Sequence, residues 1–261
     1  MTAPGAAGTG QAERAPVETA PVDSATAKTA AGVATIWAVV PAAGCGSRFG
    51  GDIPKQYLEA GGQSLLAHAL DALLAHPRVA GAVVALAADD ARWPGWTSRH
   101  GKPVLRSTGG GARADSVLAA LGLVPADAHH DPLVLVHDAA RPNLHRDDLD
   151  RLIAAAEASA DGAILAAPVR DTLKRGDADS RIVATEPRAG LWRALTPQAF
   201  RRSTLIAALQ RARADGVAVT DEAMAIERTG AHPRLVEGRE DNLKVTTPAD
   251  LALVDTLLST R

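Results

Sequence analysis

The sequence predicts an α/β protein with a doubly wound, mostly parallel, Rossmann-like sheet and a β-hairpin arm projecting from it. Two observations lead there. Short, wholly apolar runs alternate with segments whose leucines and alanines recur at helical spacing, and strands apolar on both faces belong in parallel sheets covered on each side. The rhythm then breaks at 170–195, where two extended pieces flank GDADS, the pattern of a hairpin.

Residues 1–34 are Ala, Pro, Thr and Gly with scattered charge, and read as a disordered tail without the basic start and apolar stretch of a secretory signal. The folded domain is expected over 35–261. IWAVVPAAG is the first buried strand and ends in the polar loop 44–56. SLLAHALDALLAH is a helix closed by Pro77. GAVVALAA (81–88) and KPVLRS (102–107) are further strands, the second running into GGGARADS and a helix. PLVLVHDAARP is a fourth strand ending abruptly in charge. DDLDRLIAAAEAS (147–159) is a helix with acidic residues in its first turn, where the dipole favours them, and GAILAAPV (162–169) is a fifth strand. Beyond the arm, helices are expected at 198–214 and 221–229, then a short strand, RLVEG, and a final helix opened by Pro248.

Composition removes several functions. Of 261 residues 46% are hydrophobic, enough for a large core, but the formal net charge of -2 provides no global field for nucleic acid. Cys45 is the single cysteine, so an internal disulfide or a sulfur-rich zinc site is ruled out, and a cytoplasmic setting is expected. There is no apolar run long enough for a membrane helix.

In open α/β sheets ligands sit beyond the carboxyl ends of the strands, and the chemistry-bearing residues of this chain fall there. Gly44, Gly46, Gly50 and Gly51 let the backbone turn tightly and offer N–H groups to phosphates, with Arg48 and Lys55 adding charge. The loop is not a P-loop, because Lys55 lies between Pro54 and Gln56, and it is not a dinucleotide fingerprint, because Phe49 stands where the third glycine belongs. Asp138, at a strand end beside this loop, is a natural Mg²⁺ ligand, since that ion takes hard oxygens together with substrate phosphates. His137 alternates to the other side and is expected to be structural. Gly109 to Gly111 let backbone approach a planar ligand and Ser116 can offer a hydroxyl; Arg113 either touches the ligand or pairs locally. Arg188, Lys244, Thr172, Thr196 and Thr220 carry no signal taken singly.

Taken together, PAAGCGSRFGGDIPKQYL, VHDAARP, APVRDTLKR, LWRALTPQAF, TDEA and EGREDNLKVTTPADLAL occur in an order and spacing that resembles the 2-C-methyl-D-erythritol 4-phosphate cytidylyltransferases of the non-mevalonate isoprenoid pathway, over about 36–260. The resemblance implies transfer of CMP from CTP to the methylerythritol phosphate with release of pyrophosphate. It implies that Arg48, Lys55, Arg188 and Lys244 are catalytic, and that Ala42, Ala43, Gly44, Gly110, Ser116 and Ala139 bind the nucleotide. Asp138 would hold Mg²⁺ and approach the substrate, with Arg141, Thr172, Thr196 and Thr220 around the alcohol phosphate. It also implies a homodimer, with the 170–195 arm reaching across so that Thr172 and Arg188 serve the neighbouring subunit. One departure is that Gly111 and Ala112 follow the glycine pair where the family often has an acidic residue. The rival readings are a cytidylyltransferase for another polyol phosphate, such as ribitol 5-phosphate, and a nucleotide-binding module without catalysis.

Overall fold

Strand β1 (Ile36–Pro41) sits at the centre of the sheet because both of its faces are apolar. Ile36, Ala38 and Val40 point into one core, and Trp37 and Val39 into a second. The computed structural model describes residues 36–44, 53–126 and 131–260, all within the compact unit Ala34–Arg261. The 1–34 tail and the glycine-rich stretch with Cys45, Gly46, Arg48, Gly50 and Gly51 lie outside the described residues.

After β1 come a single 3-10 turn (Lys55–Tyr57), the small pair β2 (Glu59–Ala60) and β3 (Gln63–Ser64), and helix α1 (Leu65–Leu74). Ser64 caps α1, its hydroxyl accepting the Ala67 N–H at 3.2 Å. Strand β4 (Val79–Leu86) pairs parallel with β1. Strand β5 (Ser98–Arg99) and β6 (Lys102–Thr108) follow, then α2 (Arg113–Leu123), β7 (Leu133–Val136), α3 (Arg146–Glu157) and β8 (Ala163–Pro168). The arm is the antiparallel hairpin of β9 (Leu173–Gly176) and β10 (Ile182–Glu186). Strand β11 (Trp192–Arg201), α4 (Arg202–Ala214), α5 (Glu222–Glu227), β12 (Arg234–Glu237) and α6 (Pro248–Ser259) complete the chain.

The large sheet has the order β12-β8-β11-β7-β1-β4-β6-β5. Its pairings are parallel except for those of β11 with β7 and β8 and of β5 with β6, so the doubly wound, mostly parallel sheet and projecting hairpin expected from sequence are present. Helices α1 and α3 bury Leu66, Leu70, Leu149 and Leu152 on one face; α2, α4 and α5 bury Val117, Leu121, Leu205 and Ile226 on the other.

Strand β4 lies two residues earlier than the expected 81–88, and the arm expected over 170–195 ends before Trp192, where β11 begins and pairs with β8 in the large sheet. The start of one helix differs most. The helix expected at 198–214 begins only at Arg202, because Gln198–Arg201 are the last residues of β11 and pair with Val136 to Leu133 of β7. Strand and helix join there without a turn residue.

The chain runs from β1 towards β4 but from β7 towards β8, so adjacent strands send their connections to opposite sides. The crevice this opens at their carboxyl ends is where ligands of such sheets bind.

Candidate active site

Three strand ends build this crevice. The Ala42 N–H continues the β1–β4 ladder by donating to the Ala85 carbonyl at 2.8 Å, and the Gly109 N–H donates to the Leu86 carbonyl at 2.7 Å. The 3-10 turn that carries Lys55 is tied to the same place by Gln56, which is buried and donates from Nε2 to the Ala42 carbonyl at 2.7 Å. The result is a cleft of about 330 Å³ lined by Ala42, Ala43, Gly44, Lys55, Gly110, Arg113, Ser116, Asp138, Ala139 and Lys244 among others. Its charged lining is Lys55, Arg113 and Lys244 against Asp138 alone, so the described walls favour an anion.

The loop before α2 needs glycine at 109 and 110, whereas a Cβ at Gly111 would meet open space. A Cβ on Gly109 would lie 2.3 Å from Ala43 Cβ and 2.9 Å from Ser116 Oγ, and one on Gly110 would lie 2.3 Å from Asp115 Cβ. Ser116 Oγ accepts the Gly110 N–H at 3.1 Å and donates to the Ala112 carbonyl at 3.2 Å, so this hydroxyl shapes the loop from beneath.

Asp138 is the hub. Its Oδ2 lies 2.9 Å from Lys244 Nζ and 3.6 Å from Arg141 Nε, and its Oδ1 lies 3.1 Å from Arg113 Nη2. Burial alone would raise its pKa, but Arg113, Lys244 and Arg141 beside it hold the carboxyl well below the usual carboxylate range. Its backbone N–H donates to Thr196 Oγ1 at 3.0 Å, and the same hydroxyl is 3.0 Å from His137 Nδ1. His137 is fully buried, its Nε2 is 2.9 Å from the Arg141 carbonyl, and burial pushes its pKa down to about 4; it is a neutral strut under the site.

Lys244 reaches the cleft from the segment before α6. The Val245 N–H donates to the Ala140 carbonyl at 2.8 Å, and Asn242 Nδ2 donates to the Thr196 carbonyl at 2.8 Å. Arg113 also binds Glu222, Nη1 to Oε1 at 2.5 Å, which joins α5 to the site.

The family model for 2-C-methyl-D-erythritol 4-phosphate cytidylyltransferase (IspD) matches residues 36–260. The chain belongs to this family. A cytidylyltransferase of that name from Stenotrophomonas maltophilia (strain R551-3) is 63% identical over 228 residues, 87% of this chain and 98% of the relative. One from Xanthomonas campestris pv. campestris (strain 8004) is 63% identical over 227 residues, 87% of this chain and 86% of the relative. Among solved structures, a 4-diphosphocytidyl-2C-methyl-D-erythritol synthase superposes with a TM-score of 0.73 at 37% identity, covering 87% of this chain and 100% of that one. The cytidylyltransferase from Thermus thermophilus superposes with a TM-score of 0.70 at 32% identity, covering 86% and 98%.

Set beside the residues that resemblance to the cytidylyltransferase family singled out, the cleft brings together Ala42, Ala43, Gly44, Lys55, Gly110, Ser116, Asp138, Ala139 and Lys244. Arg141 and Thr196 are buried immediately behind Asp138. Arg188 and Thr172, at the base of the arm, are exposed and do not line the cleft; the Arg188 guanidinium donates to the Arg170 carbonyl. Thr220 is also exposed outside the lining, its hydroxyl donating to Met224 Sδ at 3.6 Å. Arg48 lies outside the described residues. Sequence reasoning left Arg113 undecided and assigned nothing to Gln56, Glu222 or Asn242, although each stands inside a quoted motif.

Gly109→Ala offers a test of how tightly the loop is built. Stability is expected to fall by about 1–3 kcal/mol, as overpacking does, and the KM for the nucleotide to rise as Ala43 is displaced. Urea denaturation and steady-state kinetics read the two effects separately.

Proposed function

We infer that this chain transfers CMP from CTP to 2-C-methyl-D-erythritol 4-phosphate, yielding 4-diphosphocytidyl-2-C-methyl-D-erythritol and pyrophosphate for isoprenoid precursor synthesis. The observation that carries this is the match of 36–260, essentially the described domain, to one cytidylyltransferase family. The cleft chemistry agrees with it. The nucleophile is a phosphate oxygen, already ionised at neutral pH, so the site needs no general base. A bond forms between that oxygen and the α-phosphorus, the bond from the α-phosphorus to the bridging oxygen breaks, and pyrophosphate leaves with the electron pair. The protein's work is to hold two anions together and absorb charge at the α-phosphorus. Lys55 lines the nucleotide end of the cleft, and Arg48 belongs to the same loop in sequence. Lys244, which rests on Asp138 at 2.9 Å, would turn towards the alcohol phosphate.

Mg²⁺ fits the residues present as a partner of the triphosphate. Among the described residues there is no cluster of three or more His, Cys, Asp and Glu that would cage a metal. Asp138 is the carboxylate in the cleft lining, and one carboxylate plus substrate phosphates is a donor set this ion accepts. When bound, Mg²⁺ neutralises phosphate charge. Asp138 would hold it, with Lys244 and Arg113 its competitors for the same oxygens.

The chain works as a homodimer on this reading, in the cytoplasm where CTP is available. The hairpin carries Ile182 and Val183 exposed at 68% and 57%, side chains that gain from burial against a second copy. Thr172 and Arg188 stand away from their own cleft, which supports their serving the partner's site. Arg188→Ala is therefore expected to raise the KM for the alcohol phosphate about tenfold or more, as loss of a charge-assisted phosphate contact does, with CTP parameters little changed. Steady-state titration of each substrate checks it; an unchanged KM and rate would remove Arg188 from the site.

No helix among the described residues is long and apolar enough to cross a membrane. The experiment that decides the substrate is pyrophosphate release with CTP, Mg²⁺ and either methylerythritol phosphate or ribitol 5-phosphate. Clear preference for ribitol phosphate, or CTP binding with no release from either, would overturn the reading.

A further inference from the structure

Glu222 is a buried carboxylate that the reaction as written does not use. It stands at the first position of α5, and its placement is enforced from two sides. The preceding Asp221 caps the helix, accepting the Met224 N–H at 3.0 Å, and Gln198 of β11 clips the same turn by donating to Asp221 at 2.9 Å and accepting the Ala223 N–H at 2.9 Å. Glu222 itself is 1% exposed. One of its oxygens takes Arg113 Nη1, and the other, Oε2, is buried without a hydrogen-bond partner. A half-satisfied buried carboxylate is costly to fold, and such groups call for an explanation.

The explanation lies in what Arg113 would do without it. Arg113 lines the same cleft as Lys55 and Gly110, from the first turn of α2. A guanidinium there is suited to grip phosphates in a bidentate fashion. Its donors are turned elsewhere: Nη1 to Glu222, Nε and Nη2 to Asp138 Oδ1 at 3.3 and 3.1 Å. The two carboxylates face Arg113 from α5 and from the end of β7, and Arg141 and Lys244 face Asp138 on its other side. Arg113 is thus a cation inside the cleft whose charge is shared between two fixed anions.

We propose that Glu222 is a positioning residue that acts through Arg113, holding the guanidinium against Asp138 and off the triphosphate, so that nucleotide and pyrophosphate are not bound too tightly to leave. Ground-state grip on phosphates that is equal before and after transfer lowers KM without helping the chemical step, and slows product release. This rests on the nucleotidyl-transfer reading above.

The test compares the full-length protein with Glu222→Gln, Arg113→Gln and the double variant. Glu222→Gln keeps the size and an acceptor but removes the charge. Its KM for CTP and its inhibition constant for pyrophosphate are expected to fall three- to tenfold, with kcat falling several-fold. In the Arg113→Gln background the same substitution is expected to change none of these. Should Glu222→Gln not fold, Glu222→Asp, which keeps the charge but retracts it, is expected to shift the same constants in the same direction by less. Wild-type constants in Glu222→Gln, a lower melting temperature as its sole effect, or an equal kinetic effect with Arg113 already replaced, would overturn the proposal. An unaltered protein that releases no pyrophosphate from CTP and methylerythritol phosphate would instead overturn the function it rests on.

Discussion

Lys55→Ala is expected to lower kcat by about 10²–10³-fold, the usual effect of removing one preorganised charge from a transition state, while the KM for CTP moves by no more than a few-fold. The asymmetry follows from where Lys55 is and how it is held. It opens a 3-10 turn fixed on one side by Pro54 and on the other by Gln56, whose amide is anchored on the Ala42 carbonyl at the end of β1. The backbone that carries Lys55 is therefore fixed at the cleft before substrate arrives, and its side chain lines that cleft where charge builds at the α-phosphorus. Interactions stronger in the transition state than in the ground state appear in kcat, and those equal in both appear in KM. Arg48→Ala is expected to fall in the same class. Pyrophosphate release under steady-state conditions gives both constants, and wild-type turnover in Lys55→Ala would refute the role assigned to it.

Asp138→Asn should damage both stability and activity. The carboxylate is buried among Arg113, Lys244 and Arg141, and the neutral amide leaves three cations with one fewer counter-charge. Breaking a buried ion pair by removing one partner costs about 3–5 kcal/mol, and a loss in that range is expected in urea denaturation at neutral pH. The pH dependence has a definite sign. The folded-state pKa of Asp138 is depressed below its unfolded value of about 3.9, so its contribution is fully present above that value and is lost as pH falls through the folded-state value. The stability gap between the unaltered protein and Asp138→Asn should therefore narrow on acidification below about pH 4. A gap that stays constant, or widens, would mean that the three cations are not what holds the carboxylate ionised. Activity should fall with it, since Lys244 rests on this carboxylate.

Much of this was legible in the sequence, and the reason is local. Ile36 to Pro41, Val79 to Leu86 and Leu133 to Val136 are short apolar runs, and the residues that follow each strand necessarily emerge at the same sheet edge. Glycines beside Lys55 and a charge at Asp138 are therefore readable as one site from the sequence itself. The start of α4 was not, because Gln198–Arg201 carry no turn signal and pass directly into a helical pattern; only pairing with β7 makes them strand. Glu222 was invisible as a participant for another reason. Its partner Arg113 is 109 residues away, and TDEA alone reads as a helix start, which it also is. In the same motif the family resemblance singles out Thr220, yet the buried side chain that touches the cleft's network is two residues further on.

In the proposed reaction the alcohol phosphate itself attacks the α-phosphorus of CTP within this cleft. The most direct measurement labels every non-bridging oxygen of methylerythritol phosphate with ¹⁸O, runs the reaction with CTP and Mg²⁺, and follows the isotope by mass spectrometry. Retention of all of the label in the cytidine diphosphate product, with unlabelled pyrophosphate, is the expected result. Label appearing in the pyrophosphate, or lost to water, would contradict it.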